Sequence, residues 1–233
     1  MNTRSHPALR AISSMATRAV LANLVQAWQQ QGGQPVALES VGGVDAARRV
    51  QAGEALDVVL LASDAIDALM AGGHAVAGSK VDWVRSSTAV AVPEGAKRPD
   101  IGTEAALRAA VLEAPSIGYS TGPSGKALLR LFARWGLAQQ LESRLVQARP
   151  GVPVGQLVAR GEAALGFQQL SELLHVPGIA VVGELPPAVA IDTVFSGALV
   201  AGGHDADAAR QFLAFLAGPQ ATAAKRRQGM QPL

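Results

Sequence analysis

Three times within its first 75 residues the chain runs through a short apolar stretch, ends it in a small polar turn, and continues with helical periodicity. Residues 8–12 end in Ser13-Ser14, residues 35–39 lead into Val41-Gly42-Gly43, and residues 57–61 end at Ala62-Ser63-Asp64. Behind the first turn Val20, Leu21, Leu24, Val25 and Trp28 recur on one helical face, and Gly32-Gly33 stops it. Strand, turn and helix in repetition predict an α/β fold on a mostly parallel sheet, because each helix carries the chain back before the next strand begins. Residues 57–61 show no polar alternation, as in a strand covered on both faces.

The same grammar then starts again. Residues 87–92 read as a strand broken off by Pro93 and Pro99, residues 103–113 as a helix, and residues 116–119 as a strand. The turn Ser120-Thr121-Gly122-Pro123-Ser124-Gly125 follows, and then a helix with Leu128, Leu131, Phe132 and Trp135 on one face. Residues 145–148, 164–168 and 191–200 read as further strands, residues 154–160 and 206–217 as helices. No fixed period links the segments, so the chain reads as two α/β halves.

Hydrophobic residues make up 49% of the 233 and charged residues only 16%, which supplies core material and excludes a disordered chain. A net charge of +2 is too small for a nucleic-acid-binding face. The cluster Lys225-Arg226-Arg227 reads as a solvated helix end, where cations suit the dipole. Without cysteine there is no thiol chemistry and no zinc ribbon. His6, His74, His175 and His204 have no ligand spacing, so no metal is expected. Residues 120–126 fail the phosphate-loop pattern at both ends and lack the spacing of a nucleophile elbow, and no nicotinamide fingerprint is present, so no cofactor is expected. No window approaches the ~18 apolar residues of a membrane span, which argues against membrane insertion. Residues 1–7 carry no apolar stretch of a signal peptide. That implies a cytoplasmic protein if Met1 is the native start, and a periplasmic one if a leader has been removed.

Open α/β sheets bind ligands at the carboxyl ends of their strands. Here those ends share one chemistry: Ser13-Ser14, Gly42-Gly43, Ser63, residues 120–125 and Gly151-Val152-Pro153. Most of them open a helix, whose free N–H groups and partial positive charge attract an anion, while serine and threonine add hydroxyl donors. Each turn taken singly is also ordinary capping chemistry.

Ser13-Ser14, then Ser40-Val41-Gly42-Gly43, then Gly53 with residues 57–64 follow one another as in the molybdate-type solute-binding proteins. Residues 85–90 and the segment Gly161-Glu162-Ala163-Ala164-Leu165-Gly166-Phe167 are similar to the same family, as are residues 212–216 with Gly229-Met230. The resemblance implies a two-lobed type II periplasmic-binding-protein fold with two crossing strands as hinge. Lobe one would be residues 1–87 plus 194–233, lobe two residues 88–193, with a small anion held between them. Carried over by position, the ligand contacts are Ser13, Ser14, Gly42, Gly43, Ser63, Tyr119, Ser120, Thr121, Ser124, Gly125 and Val152. Gln169 stands where that family carries a tyrosine, and its amide suits a carboxylate or hydroxyacid. Arg85 adds a carboxylate clamp if it faces the ligand, and is otherwise a surface ion-pair residue. A monomer, and an ABC transporter permease as partner if the protein is exported, belong to the same implication. Relatives of this kind also resemble aconitate isomerases, cofactor-free enzymes that move a proton between allylic carbons of an unsaturated tricarboxylate. Glu39, Asp45, Tyr119 and Glu172 are the candidate proton shuttles for that alternative.

Overall fold

The structure is a computed structural model that describes residues 7–149 and 151–233. The first six residues, His6 among them, lie outside it, and with them the reading of the N-terminal start. The chain divides into two compact units, one running up to Arg85 and resuming at Val194–Leu233, the other comprising Ser86–Thr193.

The first unit opens with β1 (Leu9–Ser14), α1 (Arg18–Gln30), β2 (Val36–Val41), α2 (Gly43–Gln51), β3 (Val58–Ala62) and α3 (Ser63–Ala71), and then enters β4 (Val81–Pro93). β1 pairs in parallel with β2 on one side and with β3 on the other. All five residues of β3 are buried, which is why this strand carries no polar alternation.

Past Arg85, β4 belongs to the second unit. There follow α4 (Glu104–Glu113), β5 (Ile117–Tyr119), α5 (Pro123–Arg134), α6 (Ala138–Leu141), β6 (Leu145–Gln147), α7 (Val154–Ala159), β7 (Leu165–Gln169), α8 (Leu170–Leu173) and β8 (Ile179–Glu184). β5 pairs in parallel with β6 and β7, while β4 runs antiparallel to β7 and β8. Leu107, Val111, Leu128 and Phe132 cover this sheet, with Phe132 edge-on to Phe167 at 6.1 Å.

β9 (Asp192–Leu199) brings the chain back and pairs antiparallel with β3. Then α9 (Ala206–Ala217), α10 (Thr222–Arg227) and β10 (Met230–Pro232) complete the first unit. Phe212 and Phe215 of α9 meet Trp28 of α1 at 5.8 and 5.4 Å. The sheets are mixed rather than mostly parallel. β4 and β9 pass from one unit to the other, so no crossover helix returns the chain alongside them, and each runs against its neighbour. One expectation is corrected outright: Lys225 is not a solvated helix end but fully buried, whereas Arg226 and Arg227 are exposed.

Candidate functional site

In the first unit the ends of β1 and β2 are joined by their hydroxyls. Ser13 Oγ bonds Ser40 Oγ at 2.8 Å, so Ser13 is committed to the sheet. Ser14 is different: it is 8% exposed and its Oγ has no partner. A Cβ on Gly43, at the start of α2, would stand 3.7 Å from Ser14 Cβ, so the first residue of that helix lies close to the Ser14 side chain. Gly42 precedes it as N-cap, with Asp45 folded back toward it. Asp45 also accepts from Arg48 at 2.9 Å. Its carboxylate occupies the helix N-terminus in the ordinary stabilising way and is a poor neighbour for an anion. Ser63 is the first residue of α3 rather than its cap, and is half-buried.

Glu39 lies exposed on β2 with both carboxylate oxygens in the fork of Arg49, each at 2.7 Å. Arg49 also holds Glu54. The hydrogen bonds from Arg49 lower the Glu39 carboxyl below its ordinary range, which makes it a weak base. Arg85, on β4, is half-buried and makes no ion pair among the described residues.

In the second unit Tyr119 ends β5 half-buried against the apolar cluster. The turn that follows is closed by Ser120 Oγ and Ser124 Oγ at 3.2 Å, with Thr121 half-buried between them. Gly125 is required there, since a Cβ would come within 1.8 Å of the Ser120 carbonyl oxygen. Val152 closes a turn through its N–H to the Arg149 carbonyl, and the N–H of Val154 donates to Gln168 Oε1 at 2.7 Å.

The end of β7 holds the most polar buried group of the unit. Gln169 is 3% exposed; its Nε2 donates to Thr193 Oγ1 at 2.7 Å and its Oε1 has no partner. Directly across the ladder stands Thr88, 1% exposed, whose Oγ1 is also unpartnered. Thr88, Thr193 and Gln168 were missed from the sequence. The signal was present: Ser86-Ser87-Thr88 leads directly into the apolar run of residues 89–92, and Gln168-Gln169 follows the apolar start of β7. Glu172 follows in α8 and is half-buried. Its carboxyl is surrounded deeply enough that desolvation pushes it up to about 7, against a hydrogen bond from Gln168 that acts to lower it. Among the described residues no group of His, Asp and Glu is arranged to hold a metal ion.

Free hydroxyl and amide groups of this kind are able to hydrogen-bond a small anion. A family profile described as bacterial extracellular solute-binding protein matches residues 9–231. The chain belongs to this family. Two relatives of this solute-binding protein are informative. It is 43% identical over 188 residues to an aconitate isomerase from Pseudomonas sp., covering 79% of this chain and 71% of that one. It is 30% identical over 182 residues to the molybdate-binding protein ModA of Azotobacter vinelandii, covering 75% and 70%. The fold matches the periplasmic molybdate-binding protein of Azotobacter vinelandii with a TM-score of 0.79 at 21% identity, over 95% of this chain and 98% of that one. The architecture is therefore the periplasmic-binding-protein-like α/β fold of type II. Among the described residues no helix is long and apolar enough to cross a membrane.

Proposed function

We propose that this solute-binding protein captures a small organic carboxylate anion through hydroxyl, amide and backbone N–H donors, with Arg85 as its cation. The observation that carries the reading is a set of buried polar atoms without a partner: in the second unit Gln169 Oε1 at the end of β7 and Thr88 Oγ1 across the ladder from it, and in the first unit Ser14 Oγ at the end of β1. A buried group left unsatisfied costs roughly 1–3 kcal/mol, and a ligand that bonds to it offsets that cost. The Thr193 hydroxyl accepts or donates, so the Gln169 amide presents either its oxygen or its N–H₂ while keeping that bond. Gln169 in place of a tyrosine, a planar guanidinium without a carboxylate, and the higher identity to an aconitate isomerase than to a molybdate binder favour a carboxylate over a tetrahedral oxyanion.

A thermal-shift panel of molybdate, tungstate, sulfate, phosphate, citrate and cis- and trans-aconitate tests the reading. A di- or tricarboxylate at ~100 times its Kd is expected to add about 2.7 kcal/mol of stability. A response to the tetrahedral oxyanions alone, or to nothing, overturns it. Ser14→Ala is expected to weaken that carboxylate about tenfold, worth ~1.4 kcal/mol. The ligand-free melting point should hold, because the deleted hydroxyl makes no bond within the fold. In this reading a single chain acts, and an ABC transporter permease receives the ligand if the protein is exported.

A second reading adds turnover, and the 43% identical aconitate isomerase favours it. An unsaturated tricarboxylate would exchange its double bond between two allylic positions, a reaction that requires one proton to leave a carbon and one to return.

A further inference from the structure

We infer that Thr88 and Gln169 form a subsite for a hydroxyl group, so that the anion this protein takes is a hydroxy-carboxylate; the inference rests on the carboxylate reading. Thr88 and Gln169 are the end rung of the antiparallel ladder between β4 and β7, and Gln169 is the last residue of β7. Residues directly opposite on such a ladder point to the same face, with Cβ atoms about 4.5–5.5 Å apart. Two residues further along each strand, on that same face, stand Val90 and Phe167, both part of the apolar core of the unit. Apolar neighbours offer a hydroxyl or an amide no partner. The backbone of Thr88 is already engaged: its N–H donates to the Ile191 carbonyl at 2.8 Å and its carbonyl accepts from the Leu185 N–H at 3.1 Å. Of the Gln169 amide only Nε2 is used, on Thr193 Oγ1 at 2.7 Å. Thr88 Oγ1 and Gln169 Oε1 remain, on residues 1% and 3% exposed, and they do not bond one another.

Two such atoms select by the polarity of the hydrogen bond. Gln169 Oε1 only accepts, whereas the Thr88 hydroxyl donates or accepts. The oxygen of a molybdate, a sulfate or an ionised carboxylate only accepts, so it satisfies Thr88 and sets a second acceptor against Gln169 Oε1. A ligand hydroxyl does both: its proton goes to Gln169 Oε1 and its oxygen accepts from Thr88. With the amide turned the other way, the same hydroxyl accepts from Nε2 and donates to Thr88 Oγ1. A hydroxyl thus fits both orientations of the amide, and an acceptor-only oxygen fits one. A carboxylate ligand without a hydroxyl leaves Gln169 Oε1 buried and unpaired, at the full cost of its desolvation.

The test compares ligands that differ by one hydroxyl, citrate against tricarballylate and malate against succinate, by isothermal titration calorimetry on the full chain. Each variant is checked by circular dichroism. Citrate or malate is expected to bind about tenfold or more tightly than its counterpart without the hydroxyl. In Thr88→Val and in Gln169→Met that ratio should fall toward one. The Thr88 hydroxyl makes no bond within the fold, so Thr88→Val is expected to fold, and it decides the matter if Gln169→Met does not. Equal affinity within the pairs that bind, tighter binding of the counterpart without the hydroxyl, or an aconitate bound more tightly than citrate overturns the inference while the carboxylate reading stands. A hydroxyl preference that persists undiminished in a folded Thr88→Val also overturns it, since the preference then arises elsewhere. If neither these acids nor the aconitates bind, the carboxylate reading itself falls, and the hydroxyl subsite with it.

Discussion

A methyl group at position 125 would have to occupy the space of the Ser120 carbonyl oxygen, so Gly125→Ala moves the backbone of that turn rather than a side chain. We expect it to cost about 1–3 kcal/mol in urea unfolding and to weaken ligand binding in the same protein. Asp57 shows the opposite economy, a charge that the fold satisfies in full. Burial alone would raise its carboxyl, but the backbone N–H of Arg10 at 2.8 Å, the His204 ring at 2.7 Å and the His204 N–H at 2.9 Å outweigh it and hold it below its ordinary value. A depressed carboxyl contributes stability above its unfolded pKa of about 3.9 and loses that contribution as the pH falls through the folded value. Acid unfolding followed by circular dichroism should therefore start at higher pH in Asp57→Asn than in the wild type, and the variant should already be weaker at neutral pH.

At the scale of an element, α10 is the informative case. Ala221, Ala224, Lys225 and Gln228 fall at helical spacing and all are buried, so the packing face of the helix includes a lysine. Its Nζ lies 5.8 Å from the centre of the Trp83 ring and has no hydrogen-bond partner. A cation–π contact contributes about 0.5–2 kcal/mol, less than the loss of hydration, and burial pushes the ammonium down to about 8. Below that pH the folded and unfolded chains both carry the proton and the fold bears the whole penalty. Between about 8 and the unfolded value of ~10.4 the unfolded chain binds more protons, so stability rises with pH. We expect the denaturation midpoint to climb over that window in the wild type and to stay flat in Lys225→Met. That variant should also be more stable at pH 7 by on the order of 3 kcal/mol, the equivalent of the shift. A wild type with no climb would contradict the assignment.

For the whole molecule, the decisive feature is that one unit is continuous in the chain and the other is not. The core of the first unit joins Val20, Leu21 and Leu24 from its beginning to Phe212, Leu213 and Leu216 from its end. The second unit draws its core from residues inside Ser86–Thr193. We expect a chain of residues 86–193 to melt cooperatively by circular dichroism and a chain of residues 7–85 to show no cooperative transition, because its helices and strands lose the face that α9 covers.

The turn residues and the order of strands and helices were legible because periodicity and turn chemistry act over a few neighbours. Val20, Leu21 and Leu24 declare the buried face of α1 within two turns, and the five apolar residues of β3 declare a strand covered on both sides. β8 and β10 were not legible: β8 is half-buried along most of its length and so shows no alternation, and β10 has three residues. Position in the sequence alone established which turns end strands and carry Ser or Gly. Only the tertiary structure decided that Ser13 spends its hydroxyl on Ser40 while Ser14 keeps its own free, that Thr88 faces Gln169, that Lys225 points inward, and that the Glu172 carboxyl is largely stripped of water. Hydrogen-bond partners and desolvation depend on residues tens of positions away, and a local pattern holds no record of them.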